Sequence, residues 1–188
     1  EHFAFFNQQV AAEANYQMFW GALRPLLTGN AEALERLDSI RDGFTTVMNQ
    51  KMENLWTKKL GLISYDAPLV NEMLELMVLS KVDYTIFFRK LSNIPDKLSE
   101  IKKSFYLASS EQIDSKWIAW LQRWREAVKS RGDHRKVAEE MKLINPKYTW
   151  REWLISPAYE KAEQGDYSLI RDLQTVLANP YEEQSLDV

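Results

Sequence analysis

Apolar residues recur every three to five positions along nearly the whole 188-residue chain, a spacing that predicts helices with one buried side each. Val10, Ala14, Met18 and Ala22 mark the inward side of a first helix, closed by Thr28-Gly29, with Pro25 in a kink or final irregular turn. Asn30 can cap a short helix carrying Leu34 and Leu37. Asp38 or Ser39 then opens a long one through Ile40, Phe44, Val47, Met48, Met52, Leu55 and Leu60, closed by Gly61. Asp66 caps a helix entered through Ala67-Pro68, with Leu69, Met73, Leu76, Met77 and Ser80 inward. Residues 83–91 (DYTIFFRKL) have strand-like composition, but their helical neighbours and the lack of a second strand favour helix. Asn93-Ile94-Pro95 breaks that helix, and Asp96 caps an amphipathic stretch with Leu98, Ile101 and Phe105.

The clearest pattern opens at Ser109-Ser110-Glu111. Ile113, Trp117, Trp120, Leu121, Trp124 and Val128 share one face, and Gly132 ends the helix. Asp133 caps the next, through Val137, Met141 and Ile144. Asn145-Pro146 reads as a further start, Asn at the cap and Pro at the first helical position. Pro157 and Gly165-Asp166 divide the remainder into short helices ending at Asn179-Pro180. The fold class is therefore all-α: a single irregular multi-helix domain over residues 1–188, about nine or ten helices, with no sheet.

Composition changes this picture by exclusion. Hydrophobic residues make up 45% and charged residues 27%, the balance of a globular chain. With 24 basic and 27 acidic residues the net charge is -3, and the basic cluster from Arg123 to Lys136 is interleaved with Glu126 and Asp133. Nucleic acid is thus not an expected partner. Nor is a membrane, since no run of 18 apolar residues occurs. There is no cysteine, and the two histidines, His2 and His134, cannot make a multi-His metal site. No Gly-rich phosphate loop and no VAIK, HRD or DFG motif occurs. His134 sits in a charged helix start and reads as solvated. Glu72 and Glu75 share a helix face without the Glu-x-x-His pattern of a di-metal bundle. The surplus is aromatic: seven Trp, eight Tyr and eight Phe. The Trp117/Trp120/Trp124 stripe reads as core rather than as a stacking platform, and Trp150 and Trp153 are assigned largely to the core as well. The first residue is Glu1, and Phe3, Phe5 and Phe6 make an apolar entry with no signal-peptide pattern. They read as a surface cut from something longer.

Three collinear stretches resemble one family. In FFNQQVAAEANYQMFWGALRPLL, Asn7, Gln8, Leu23 and Pro25 match the segment that follows the catalytic core of the selenoprotein O (SelO) family. In the middle, Lys59, Leu60, Gly61 and Leu74, and then Asp83, Tyr84, Thr85, Phe88, Arg89, Leu91 and Ser92, match a K-L-G run and a D-Y-T-x-x-F-R-x-L-S run. Near the end, Asn145, Pro146, Arg151, Ala158, Glu160, Ala162, Glu163, Gly165, Asp166, Asn179, Pro180 and Tyr181 match. Glu152 departs from the Asn usual after the Arg, and Ile155-Ser156 from an Ala-Gln step.

The resemblance implies a kinase-like parent that binds ATP and Mg²⁺ and transfers AMP to protein hydroxyls. The catalytic and metal-binding residues of that parent precede the stretch seen here. This chain is then expected to be the C-terminal helical region, with no catalytic, cofactor-binding or metal residue of its own. Its candidate motif or interface positions are Asn7, Gln8, Asp83, Tyr84, Arg89, Asn145, Pro146 and Arg151. Its partners would be the kinase-like region of the same polypeptide and the parent's protein substrates. Its location would be cytoplasmic in a bacterium and mitochondrial in a eukaryote. The competing expectation is a stand-alone helical protein–protein interaction module without catalysis, suggested by the aromatic surplus.

Overall fold

The computed structural model describes residues 7–184, so Phe3, Phe5 and Phe6 lie outside the described residues. Those residues form nine α-helices: α1 (Gln8–Leu23), α2 (Ala31–Lys59), α3 (Ala67–Leu79), α4 (Tyr84–Leu91), α5 (Leu98–Ile101), α6 (Glu111–Lys129), α7 (His134–Lys142), α8 (Glu152–Glu163) and α9 (Ser168–Ala178). Among them the only β-type pairing is an isolated antiparallel bridge between Val82 and Phe105. The class is all-α, and DYTIFFRKL is helical. No described helix is long and apolar enough to cross a membrane.

The chain divides into two compact units, Glu1–Leu55 and Trp56–Val188, with the boundary inside α2. The first holds α1, a 3-10 turn over Arg24–Leu27 that contains Pro25, and α2 up to the boundary. Asn30 does cap here, its side-chain oxygen accepting the Ala33 N–H at 3.0 Å. The second start expected at Asp38 or Ser39 does not exist, and α2 runs on without a break. The Asp38 carboxylate is engaged instead by the Trp20 indole N–H at 2.9 Å and Arg24 at 2.5 Å, which join α1 and its final turn to α2. Tyr16 and Phe44 stack at 4.6 Å. No described residue of this unit is buried. Val10, Ala14, Met18 and Ala22, expected inward, are all exposed, as are Ile40, Val47 and Leu55 of α2.

The second unit contains the core. Trp117, Trp120 and Trp124 of α6 are completely buried, with Phe87, Phe88, Leu60, Met73 and Met141 around them. A buried indole needs an acceptor for its N–H. Trp117 donates to Ser80 Oγ, Trp120 to the Leu69 carbonyl and Trp124 to the Leu60 carbonyl, each at 2.8 Å. One helix thereby ties both ends of α3 and the segment after α2. Caps fall where the sequence put them at Asp66, Ser110 and Asp133, and Asp83 is a further cap, each accepting an N–H from the first turn that follows.

Three expected boundaries are corrected. Asp96 does not cap α5: the Glu100 carboxylate reaches back to the Asp96 and Lys97 N–H groups at 3.1 and 2.8 Å, and the helix starts after Lys97. Asn145-Pro146 starts no helix, because the Asn145 amide is buried and committed to tertiary partners, and α8 begins only at Glu152. Pro157 does not divide the C-terminal part but lies inside α8. Ala158 next to it is buried, and α8 lies against α9. Trp150 and Trp153, expected in the core, are 60% and 61% exposed. They belong to the irregular segment before α8 and to its first turn, outside the buried cluster.

Gly61 closes α2 with φ +64°, and the Leu62 N–H reaches back to the Thr57 carbonyl at 2.9 Å. A Cβ at Gly61 would lie 2.6 Å from Met141 Sδ and 2.8 Å from Val137 Cγ1, both on α7. Glycine is thus required by the backbone angle and by the approach of α7 together. Gly61→Ala is expected to lower the stability of this unit by about 2–3 kcal/mol. Urea denaturation followed by Trp fluorescence checks this, and a loss below about 0.5 kcal/mol would show that α7 can shift aside.

Candidate functional site

Six of the candidate positions, and none of the first unit, converge around α4 and the segment between α7 and α8. Asp83 precedes α4, Tyr84 begins it and Arg89 lies near its end, while Asn145, Pro146 and Arg151 lie on the irregular segment. Asn7 and Gln8 stand at the start of α1 in the first unit, where the Asn7 carbonyl accepts the Ala11 N–H at 3.0 Å. Pro146 is half-buried and opens nothing.

Asn145 is fully buried and satisfied on every side. Its side-chain oxygen accepts from Lys59 Nζ at 2.8 Å, and its side-chain nitrogen donates to the Lys59 carbonyl at 2.9 Å and to Ser92 Oγ at 3.0 Å. Lys59 can only donate through Nζ, which fixes the orientation of the amide. The Ser92 hydroxyl donates in turn to the Phe88 carbonyl at 2.8 Å. The ammonium of Lys59 also lies 4.3 Å from the centre of the Phe88 ring and 5.0 Å from that of Tyr84. Lys59 is 6% exposed, and burial pulls its amine down to about 8. Burial likewise pushes the Tyr84 hydroxyl up to about 12.

Asp83 is the second node, with 3% of its surface exposed. One carboxylate oxygen accepts from Arg151 at 2.7 Å and from the Ile86 N–H at 3.0 Å, and the other accepts from the Tyr106 hydroxyl at 2.6 Å. Burial pushes this carboxyl up, but Arg151, the Ile86 N–H and Tyr106 outweigh it and hold it below the usual carboxylate range. The cap of α4 is therefore also the anchor of the segment entering α8.

Arg89 is the third node. Its guanidinium donates to the Lys142 and Asn145 carbonyls at 3.2 and 3.1 Å, and to Glu183 at 2.8 Å. Glu183 also receives Lys147 Nζ at 2.5 Å, and these two cations hold its carboxyl down at about 2. Beside these nodes lies an open groove of about 250 Å³, walled by Ile86, Tyr148, Arg151, Leu154, Leu173 and Leu177. Arg151 stacks over Trp153 at 5.2 Å. His134 is exposed at the start of α7, and Glu72 pairs with Arg123. Among the described residues no three His, Asp or Glu side chains gather as a metal ion would need.

Sequence reasoning included Lys59 and Ser92 only as matches to a pattern and did not single out Tyr106 or Glu183. Lys59 had a signal: it lies three residues after Trp56 and one before Leu60, on the apolar side of α2. Tyr106 and Glu183 had none, since their partners lie 23 and 94 residues away.

The Lys59–Asn145 pair sets two expectations. Asn145→Leu leaves an ammonium buried without its acceptor and should cost about 3 kcal/mol, most of which Lys59→Met in the same chain should restore. The folded amine titrates near 8 and the unfolded one near 10.5, so between those values the unfolded chain binds more protons and stability rises with pH. Tyr84 acts oppositely, but only above pH 10, where the unfolded phenol ionises first. Urea midpoints at pH 7 and pH 10 should therefore show the native chain gaining about 2 kcal/mol relative to Lys59→Met. Parallel pH profiles for the two proteins would show that the fold leaves the proton affinity of Lys59 unchanged.

The sequence model of the family described as "Protein adenylyltransferase SelO" matches residues 1–178. Proteins named "Protein nucleotidyltransferase YdiU" are similar over nearly the whole chain. The one from Aromatoleum aromaticum is 30% identical over 97% of this chain and 34% of its own length. That from Pseudomonas aeruginosa strain LESB58 is 33% identical over 97% and 36%, and that from Flavobacterium johnsoniae 31% over 98% and 37%. The chain thus spans about a third of the length of the curated relatives it matches. With the family match running from residue 1 to residue 178, and the same order of motifs that the residues themselves display, this chain belongs to the SelO family.

Proposed function

We propose that this chain is the C-terminal helical region of a SelO-type protein adenylyltransferase, an enzyme that transfers AMP from ATP to protein hydroxyls. Its part is to buttress a kinase-like region of the same polypeptide and to help shape the place where a protein substrate docks. ATP and Mg²⁺ are bound by the kinase-like region and not by the residues described here. Location follows the same reading: cytoplasm in a bacterium, mitochondrion in a eukaryote.

The observation that carries this reading is how the motif residues are used. Asp83, Arg89, Asn145 and Arg151 each bind another segment of their own unit. Groups committed in this way hold a scaffold together. A reacting group needs a free lone pair or proton aimed at a substrate. The second support is the apolar stripe of α1. Val10 and Met18 are 68% and 75% exposed, and Ala14 and Ala22 are exposed between them. A continuous apolar strip of this kind marks a face that meets another protein surface.

Two assays test the reading. A polypeptide carrying the kinase-like region ahead of this chain should transfer AMP from ATP and Mg²⁺ to protein, and the 188-residue chain alone should not. AMP transfer by the isolated chain would overturn the proposal. Met18→Asp should leave the stability of the isolated chain unchanged, since the side chain is already in water. In the longer polypeptide it should lower activity or stability by about 2 kcal/mol. Equal behaviour in both contexts would mean that the stripe meets nothing.

A further inference from the structure

The C-terminal helix pair is fastened to the rest of the second unit in an unusual way. Ala158 of α8 and Leu173 and Val176 of α9 are buried, yet none belongs to the main apolar cluster built on α3, α4 and α6. Polar contacts make the attachment. The Asp83–Arg151 pair holds the entry to α8. At the other end, the chain after α9 returns to the segment that follows α7. The Pro180 carbonyl accepts the N–H groups of Lys147 and Tyr148 at 2.8 and 3.2 Å. Glu183 takes Arg89 on one carboxylate oxygen at 2.8 Å and Lys147 on the other at 2.5 Å. The Gln184 side-chain amide donates to the Val176 and Asn179 carbonyls at 2.9 and 2.8 Å, tying the returning segment to the end of α9.

We propose that residues 179–184 are a releasable strap that holds the α8–α9 pair against the end of α4, with Glu183 seated between Arg89 and Lys147 as its ionic catch. The two halves of the catch differ in character. The Arg89 side chain is only 11% exposed and is fixed in place by the Lys142 and Asn145 carbonyls, so the receptor stands ready-made. The Glu183 side chain is 68% exposed, so the element that enters the receptor is in water and subject to salt. The walls of the neighbouring groove come from both sides of this junction. Ile86 belongs to α4, while Leu154, Leu173 and Leu177 belong to α8 and α9. Release of the strap parts those walls and exposes their apolar side chains. The catch is thus a local opening device, separate from the tryptophan core.

The N–H groups of Lys147 and Tyr148 report on the strap directly, because the Pro180 carbonyl is their partner. In the intact chain, Glu183→Gln is expected to raise amide exchange at these two positions about fivefold at low salt. Lys147→Gln, which keeps the reporter N–H groups, should act in the same direction at Tyr148. Sodium chloride at about 1 M should produce most of the same increase in the native chain and little further change in Glu183→Gln. Glu182→Gln, which removes an equal charge one residue away, should leave exchange as it was. Unchanged exchange in Glu183→Gln would overturn the proposal. So would an equal rise at the Trp120 and Trp124 amides, which would mean that the whole unit loosens and no strap opens by itself. This test reads backbone protection and is independent of whether the parent protein transfers AMP.

Discussion

Three indole N–H groups on one helix set the arrangement of the larger unit. A tryptophan stripe at Trp117, Trp120 and Trp124 buries a large apolar area whatever it packs against, so area alone does not choose a neighbour. The N–H groups choose. Each must find an acceptor or carry the cost of a buried, unsatisfied donor. The three acceptors, Ser80, Leu69 and Leu60, lie at the two ends of α3 and just beyond α2. Sliding α6 along α3 by one turn would keep much of the apolar contact and break the donor pattern. The polar edge of the indoles, more than their bulk, makes the packing unique.

Around that core a second layer is organised by buried charge. Lys59 enters the interior at the last turn of α2, where carbonyl groups without helical partners already favour a cation. Asn145 closes the site from a segment 86 residues away, and Phe88 and Tyr84 face the ammonium with their rings. A buried ammonium is a costly way to join two segments, and an apolar pair of similar volume would do it more cheaply. What the polar version adds is direction: Asn145 meets both ends of the Lys59 residue, its amine and its carbonyl, and only one placement of the 143–151 segment allows that. Asp83 works in the same manner, serving at once as the cap of α4 and as the receptor of Arg151.

The sequence made the all-α class readable, along with the core stripe of α6 and four of the caps, because each depends on residues within one or two helical turns. It misled where a side chain had a distant partner. Asn145-Pro146 has the form of a helix start, but the amide was already taken by Lys59 and Ser92. Asp38 has the form of a cap, but Trp20 and Arg24 hold it. Pro157 has the form of a break, but α8 continues through it with Ala158 buried. Candidate positions were found by resemblance more than by physics. Asp83, Arg89, Asn145 and Arg151 came out of a motif, and only folding showed that they are partners of each other or of one network. Glu183 could not have been found at all, since a glutamate in an acidic tail looks the same whether or not an arginine waits 94 residues earlier.

The two units solve the burial problem in opposite ways, and this bears on what the chain is for. In Trp56–Val188, apolar residues at helical spacing do go inside, and polar groups that follow them in are paired. In Glu1–Leu55 the same kind of spacing yields no buried residue among those described, and the joins between its helices include Trp20 and Arg24 on Asp38, Thr45 on Glu13 and the Tyr16–Phe44 stack. A regular apolar period has no use on a surface that meets only water, where Lys, Glu and Gln would form helix as well or better. On the proposed reading, the period in α1 is the face that meets the kinase-like region. The second unit closes its own apolar core, while the described residues of the first leave their apolar positions exposed. Under the proposed function the exposed stripe of α1 is the docking face toward the longer polypeptide, in a family whose relatives extend over nearly three times the length of this chain.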